Sequence, residues 1–112
     1  MAISLRPEPV RAEMLRRAGR PVPRQIQGWA LIDTGAKLTC VDHDTATELY
    51  QQVGVAQAYT PSTPDAEPHD SAVFFGFMTF PNTPLPVLEQ EMLGMALGYP
   101  VQGKRVLALL GR

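Results

Sequence analysis

Disulfide chemistry has almost no material to work with in this chain: of 112 residues only Cys40 is a cysteine. A single thiol excludes an intramolecular disulfide framework and says little about redox compartment. Following what reads as a strand, Cys40 is expected to be a small buried apolar residue rather than a nucleophile. Histidine is nearly as scarce. His43 and His69 lack the helical pairing and clustered partners of a zinc site, so neither a metal nor any other cofactor is expected. No apolar run approaches the length of a membrane span, and the N-terminus lacks the apolar core of a signal peptide. The expectation is a soluble protein without a membrane span, the cytoplasm being preferred among otherwise undetermined compartments. An excess of one charge sign is also missing. Ten Lys and Arg stand against eleven Asp and Glu, a net charge of −1, which argues against wholesale nucleic-acid binding. No phosphate-cradling glycine loop, internal repeat or low-complexity segment is present.

Turns are abundant instead. Eleven prolines and nine glycines favour short strands over long helices, while 45% hydrophobic and 19% charged residues describe a globular chain. One domain with a modest core fits this length, and it needs no staple. The pattern predicts a short strand around Ile3 and Leu5, then a helix from Pro9 to Ala18 stopped by Gly19. A strand follows at 25–32, apolar on both faces toward its end and therefore expected to run into the interior. After a turn at 33–36 come a short strand at 38–41 and a helix at 45–52, with Asp42 or Asp44 as its cap and Gly54 ending it. Residues 59–70 read as an exposed loop or the tip of a long hairpin. Strands are expected at 72–80, at 85–97 with an interruption at Gly94, and at 106–110, with turns at 81–84 and Gly103. Phe74, Phe75, Phe77 and Phe80 belong to a core strand or to pocket walls. Glu89 and Glu91 are expected to be solvated. The sum is a mainly-β barrel or sandwich with one or two short helices.

Charge is concentrated at one end. Residues 1–24 hold six arginines and two glutamates, net +4, so the remainder sums to −5. This basic strand and helix arm has the composition to touch acidic lipid or nucleic acid. A solvated helical face is the ordinary reading, since no aromatic residue interleaves the arginines.

The sharpest feature is Ala30-Leu31-Ile32-Asp33-Thr34-Gly35-Ala36. An acidic residue ends an apolar strand and is followed at once by a small hydroxyl residue and a glycine. Backbone N–H groups and the Thr34 hydroxyl can donate to a carboxylate in such a turn, and Gly35 lets backbone or substrate approach closely. A carboxylate delivered there without partners would be costly. A second element, Leu107-Ala108-Leu109-Leu110-Gly111-Arg112, closes the sequence about 75 residues later.

Together these motifs resemble the retropepsin-like aspartic proteases, single-domain proteins of retroviral and bacterial type related to half of a pepsin. ALIDTGA is similar to the family's active-site loop, and the apolar-Gly-Arg ending to the segment packed behind it. The resemblance implies a retropepsin-like acid-protease barrel over 25–112, with 1–24 as a basic arm. It also implies an aspartic endopeptidase in which two aspartates activate a water against a peptide bond. Asp33 matches the catalytic aspartate, and Thr34, Gly35 and Ala36 match its supporting loop. Leu110, Gly111 and Arg112 match the bracing element. One DTG triplet means that a homodimer must supply two Asp33 carboxylates to a peptide or protein substrate. Residues 59–72 correspond to the flap, though here proline-rich and without glycine. The helix and strand that follow Gly-Arg in the family are not represented before Arg112. A protease-like domain that binds peptide or protein without cleaving it, or an inactive fragment, remains a separate reading.

Overall fold

The computed structural model describes residues 1–32, 38–58, 69–97, 100–101 and 103–111. About half of the described residues are strand, and two short helices accompany a closed six-stranded β-barrel. The elements run β1 (Ala2–Leu5), α1 (Pro9–Arg17), β2 (Ile26–Ile32), β3 (Cys40–Asp42) and α2 (His43–Leu49). After them come β4 (Gln52–Ala58), β5 (His69–Thr79), β6 (Leu88–Met95), β7 (Pro100–Val101) and β8 (Lys104–Leu110).

Strand order around the barrel is β1-β2-β8-β3-β6-β5, and β1 closes the ring by pairing antiparallel with β5. Ser4 faces Thr79 and Leu5 faces Met78 in that closure. β4 adds to β5 as the outer strand of a hairpin, and β7 pairs with β8. Because β1 is a barrel strand with Ile3 and Leu5 in the core, only α1 and its flanks in the basic 1–24 stretch stand outside the barrel. The interior is built from Ile3, Leu5, Ala30, Val41, Leu49, Phe74, Met78, Met92 and Leu107, with Phe77, Phe80 and Leu110 packed against it. Phe74 is thus a core residue, whereas Phe75 points outward on the next position of the same strand.

Several boundaries differ from the sequence pattern for identifiable reasons. α2 starts at His43 because Asp42 caps it, accepting from the Thr45 N–H at 3.2 Å and the Thr45 hydroxyl at 2.7 Å. It stops at Leu49 rather than 52, since Tyr50 is already extended (φ −125°, ψ 156°) with its ring buried and its hydroxyl donating to the Phe77 carbonyl at 2.8 Å. The chain then forms β4, which the pattern missed because Gly54 reads as a helix stop. Gly54 instead sits beside an irregularity in the β4–β5 register.

Residues 69 and 70, expected in the loop, are strand, paired with 58 and 57. Pro84 and Pro86 supply no N–H, so β6 begins at Leu88 instead of 85. Gly94 does not interrupt it. A Cβ there would lie 3.0 Å from both His43 Nδ1 and Phe74 Cε2, so the glycine lets α2 and β5 pack onto β6. Glu89 and Glu91 are exposed on the solvent face of that strand.

Candidate functional site

β2 carries the chain to Ile32, one residue short of Asp33. β8 runs parallel to it, with Ala30 opposite Ala108, Leu31 opposite Leu109 and Ile32 opposite Leu110. The same strand pairs antiparallel with β3 on its other side, Cys40 facing Leu109 and Val41 facing Ala108. The two strands that bound residues 33–37 therefore flank β8, which fills the space between them. Val106, Leu107 and Ala108 are sealed in the interior by this double pairing.

The end of β8 is tied to the start of β3. Gly111 N–H donates to the Thr39 hydroxyl at 3.4 Å, and the Thr39 carbonyl accepts from Leu93 N–H at 3.0 Å. Thr39 is buried and joins three strands at this point, a role that sequence reasoning missed. The available signal was a small hydroxyl residue immediately before the apolar run Cys40-Val41. Leu110 is half-buried against the core, and Gly111 makes the Thr39 contact. These two members of the expected bracing element lie beside each other at the end of β8. Asp33, Thr34, Gly35, Ala36 and Arg112 lie outside the described residues, as do 59–68 of the expected flap. The described part of the flap region, 69–72, belongs to the β4–β5 hairpin.

One expectation is corrected here. β2 does not run into the interior at its end: Ala30 is 1% exposed, but Leu31 is 40% and Ile32 64% exposed. Leu38, on the other side of the 33–37 segment, is 58% exposed. The barrel wall at this rim has an interior side filled by β8 residues and an outer side that no described residue covers. Three large aliphatic side chains are thus displayed around the DTG segment.

The other described acids have ordinary structural positions. Both Asp42 oxygens are engaged, one by Thr45 and the other by Leu97 N–H at 3.2 Å. Asp44 is exposed in the first turn of α2, and Asp70 is exposed on β5. His43 meets the Phe74 ring edge-on at a centroid distance of 5.7 Å. Among the described residues no group of three or more His, Cys, Asp and Glu is placed to hold a metal ion. No helix among them is long and apolar enough to cross a membrane.

Tyr50 has the perturbed ionisation that matters for the fold. Burial pushes its phenol up to about 12, opposed by the hydrogen bond to Phe77. An open depression of about 370 Å³ lies elsewhere, between Ala2, Gln27, Trp29, Pro81 and Asn82, near the beginning of β2 and away from Ile32. Lys104 Nζ sits 4.0 Å from the centre of the Trp29 ring. The chain finds no significant match among protein-family models, curated proteins or solved structures.

Proposed function

We propose that this chain is an aspartic endopeptidase of retropepsin type, active as a homodimer on extended peptide. The observation that carries the reading is the sequence ALIDTGA at the junction of two strands that flank β8, whose own sequence is the apolar-Gly element of the same resemblance. Leu31, Ile32 and Leu38 add support, because three exposed aliphatic side chains around a DTG segment suit burial against a second copy. The β4–β5 hairpin is the candidate flap.

In the proposed reaction two Asp33 carboxylates, one from each copy, share a single proton, since two adjacent carboxylates cannot both ionise cheaply. A water between them loses a proton to the ionised carboxylate as its oxygen bonds to the peptide carbonyl carbon. The protonated carboxyl donates to the carbonyl oxygen. Collapse of the tetrahedral intermediate breaks the C–N bond: the carboxyl that took the water's proton gives it to the amine nitrogen, and the other carboxylate takes back a hydroxyl proton from the intermediate, which restores the singly protonated pair. No metal or cofactor enters.

Asp33→Asn is expected to abolish peptide cleavage at acidic pH while leaving the thermal midpoint unchanged. Cleavage by the variant at the wild-type rate would overturn the assignment of Asp33. Sedimentation across the assay range separates the dimer from the noncatalytic reading. Activity should rise with the dimer fraction, and a dimer that binds statine-type peptide without ever cleaving substrate would make the chain a peptide-binding domain.

A further inference from the structure

α1 is held to the barrel by very little. Ala12 is its one buried residue, while Val10 and Met14, one turn apart, are each 66% exposed. Nine-residue helices are marginal by themselves, and most helical stability normally comes from packing an apolar face. Here local devices do the holding. The Glu8 carboxylate caps the N-terminus, accepting from Val10 N–H at 2.9 Å and Arg11 N–H at 2.8 Å. Glu13 pairs with Arg16 and Arg17 on the next turn. Gly19 then reverses the chain at φ +68°. Val10 and Met14 are left exposed, Arg17 follows them along the same side of the helix, and Arg16 and Arg20 are exposed as well.

We propose that α1 is a docking surface for an anionic lipid surface, with Val10 and Met14 entering the headgroup boundary and the neighbouring guanidinium groups meeting lipid phosphates. Three observations select this occupant. Charge complementarity comes first: residues 1–24 are net +4 and the remainder −5, so an anionic surface attracts the helix and repels the rest of the molecule, which orients the protein helix-first. Shape comes second. A convex helix offering two apolar side chains is far below the roughly 800 Å² per partner of a stable protein interface, but is suited to shallow insertion. Third, no aromatic residue lies among the arginines to stack on bases, which disfavours single-stranded nucleic acid.

The test is co-sedimentation of the full chain with phosphatidylcholine vesicles lacking or containing phosphatidylglycerol. Binding is expected only to the anionic vesicles and is expected to weaken with added salt. R16Q/R17Q/R20Q lowers the arm from +4 to +1 and is expected to reduce partitioning on the order of a hundredfold, from about one kcal/mol per basic residue at the surface. Val10→Ser with Met14→Ser should cost several-fold more modestly, with the thermal midpoint unchanged because both positions are exposed. Equal binding to neutral vesicles, wild-type binding by the arginine variant, or equally tight binding to soluble polyaspartate would each overturn the proposal. None of these measurements depends on peptidase activity, so the outcome stands apart from the role of Asp33.

Discussion

β8 contributes seven residues and α1 nine, yet Val106, Leu107 and Ala108 of β8 are sealed between two partner strands while α1 buries Ala12 alone. In β8 the backbone is paired on both sides and the side chains fill the barrel, so any change in volume is felt throughout. In α1 the backbone is satisfied by a glutamate cap, an intrahelical ladder and charged pairs, and little depends on it elsewhere. Global stability and local helix stability should therefore come apart in this molecule, and substitutions in the two regions should say so.

Leu107→Ala has the largest expected effect. It removes a fully buried side chain from the centre of the barrel and should lower unfolding free energy by about 2–5 kcal/mol, measured by urea denaturation. A loss below about 1 kcal/mol would mean that β8 is not the packed centre of the barrel. Gly28→Ala approaches the same side chain from the opposite direction. A Cβ at Gly28 would lie 2.4 Å from Leu107 Cδ1 and 2.6 Å from its Cγ, so strain of about 1–3 kcal/mol is expected. In the Leu107→Ala background that cost should shrink, because the two nearest obstructing atoms are gone and only the Arg105 carbonyl oxygen, at 3.1 Å, remains. Additive losses in the double variant would contradict the contact.

Tyr50→Phe should be milder, about 1 kcal/mol, since the Phe77 carbonyl keeps its second donor, Arg6 N–H at 2.9 Å. Its distinctive signature is pH dependence. The folded phenol titrates near 12 rather than at the ordinary 10.0, so the folded state holds its proton more tightly than the unfolded chain. That contribution is complete below pH 10 and is lost as pH rises toward 12. The wild type should lose this stability in alkali, and Tyr50→Phe should lack that part of the decline. The smallest global effect belongs to Glu8→Ala. Removing the cap should cost the helix about 1 kcal/mol and accelerate amide exchange in α1, with the urea midpoint nearly unmoved. A midpoint shift as large as that of Gly28→Ala would show α1 to be coupled to the barrel after all.

The strands and turns that rest on neighbouring residues were legible before any coordinates. Ile3 and Leu5 marked β1, the glycine after the arginine-rich helix marked its reversal, and Pro81-Asn82-Thr83-Pro84 marked a turn in which Asn82 takes φ +61°. Asp42 was one of two named caps, and its geometry shows why: a short carboxylate just ahead of Thr45 can take both its N–H and its hydroxyl. β4 was illegible because Gln52-Val53-Gly54-Val55 alternates weakly, and its partner is β5, across residues 59–68. Its pairing with Ala72 and Val73 decides its conformation. The rim of the candidate site was misread for a similar reason. Leu31 and Ile32 are as apolar as any core residues, and nothing local distinguishes a strand end that stays inside from one that emerges.

By itself, the sequence determined that the chain is mainly β, that it carries one DTG triplet, and that its positive charge is gathered before residue 25. Those properties depend on residue type and on spacings of a few positions. Tertiary structure alone decided that β1 closes the barrel onto β5 from 75 residues away, that β8 inserts between β2 and β3, and that Leu31, Ile32 and Leu38 are displayed around the 33–37 segment. Each is a pairing or an exposure between distant segments, set by which strands compete best for the interior, and apolarity alone does not rank them.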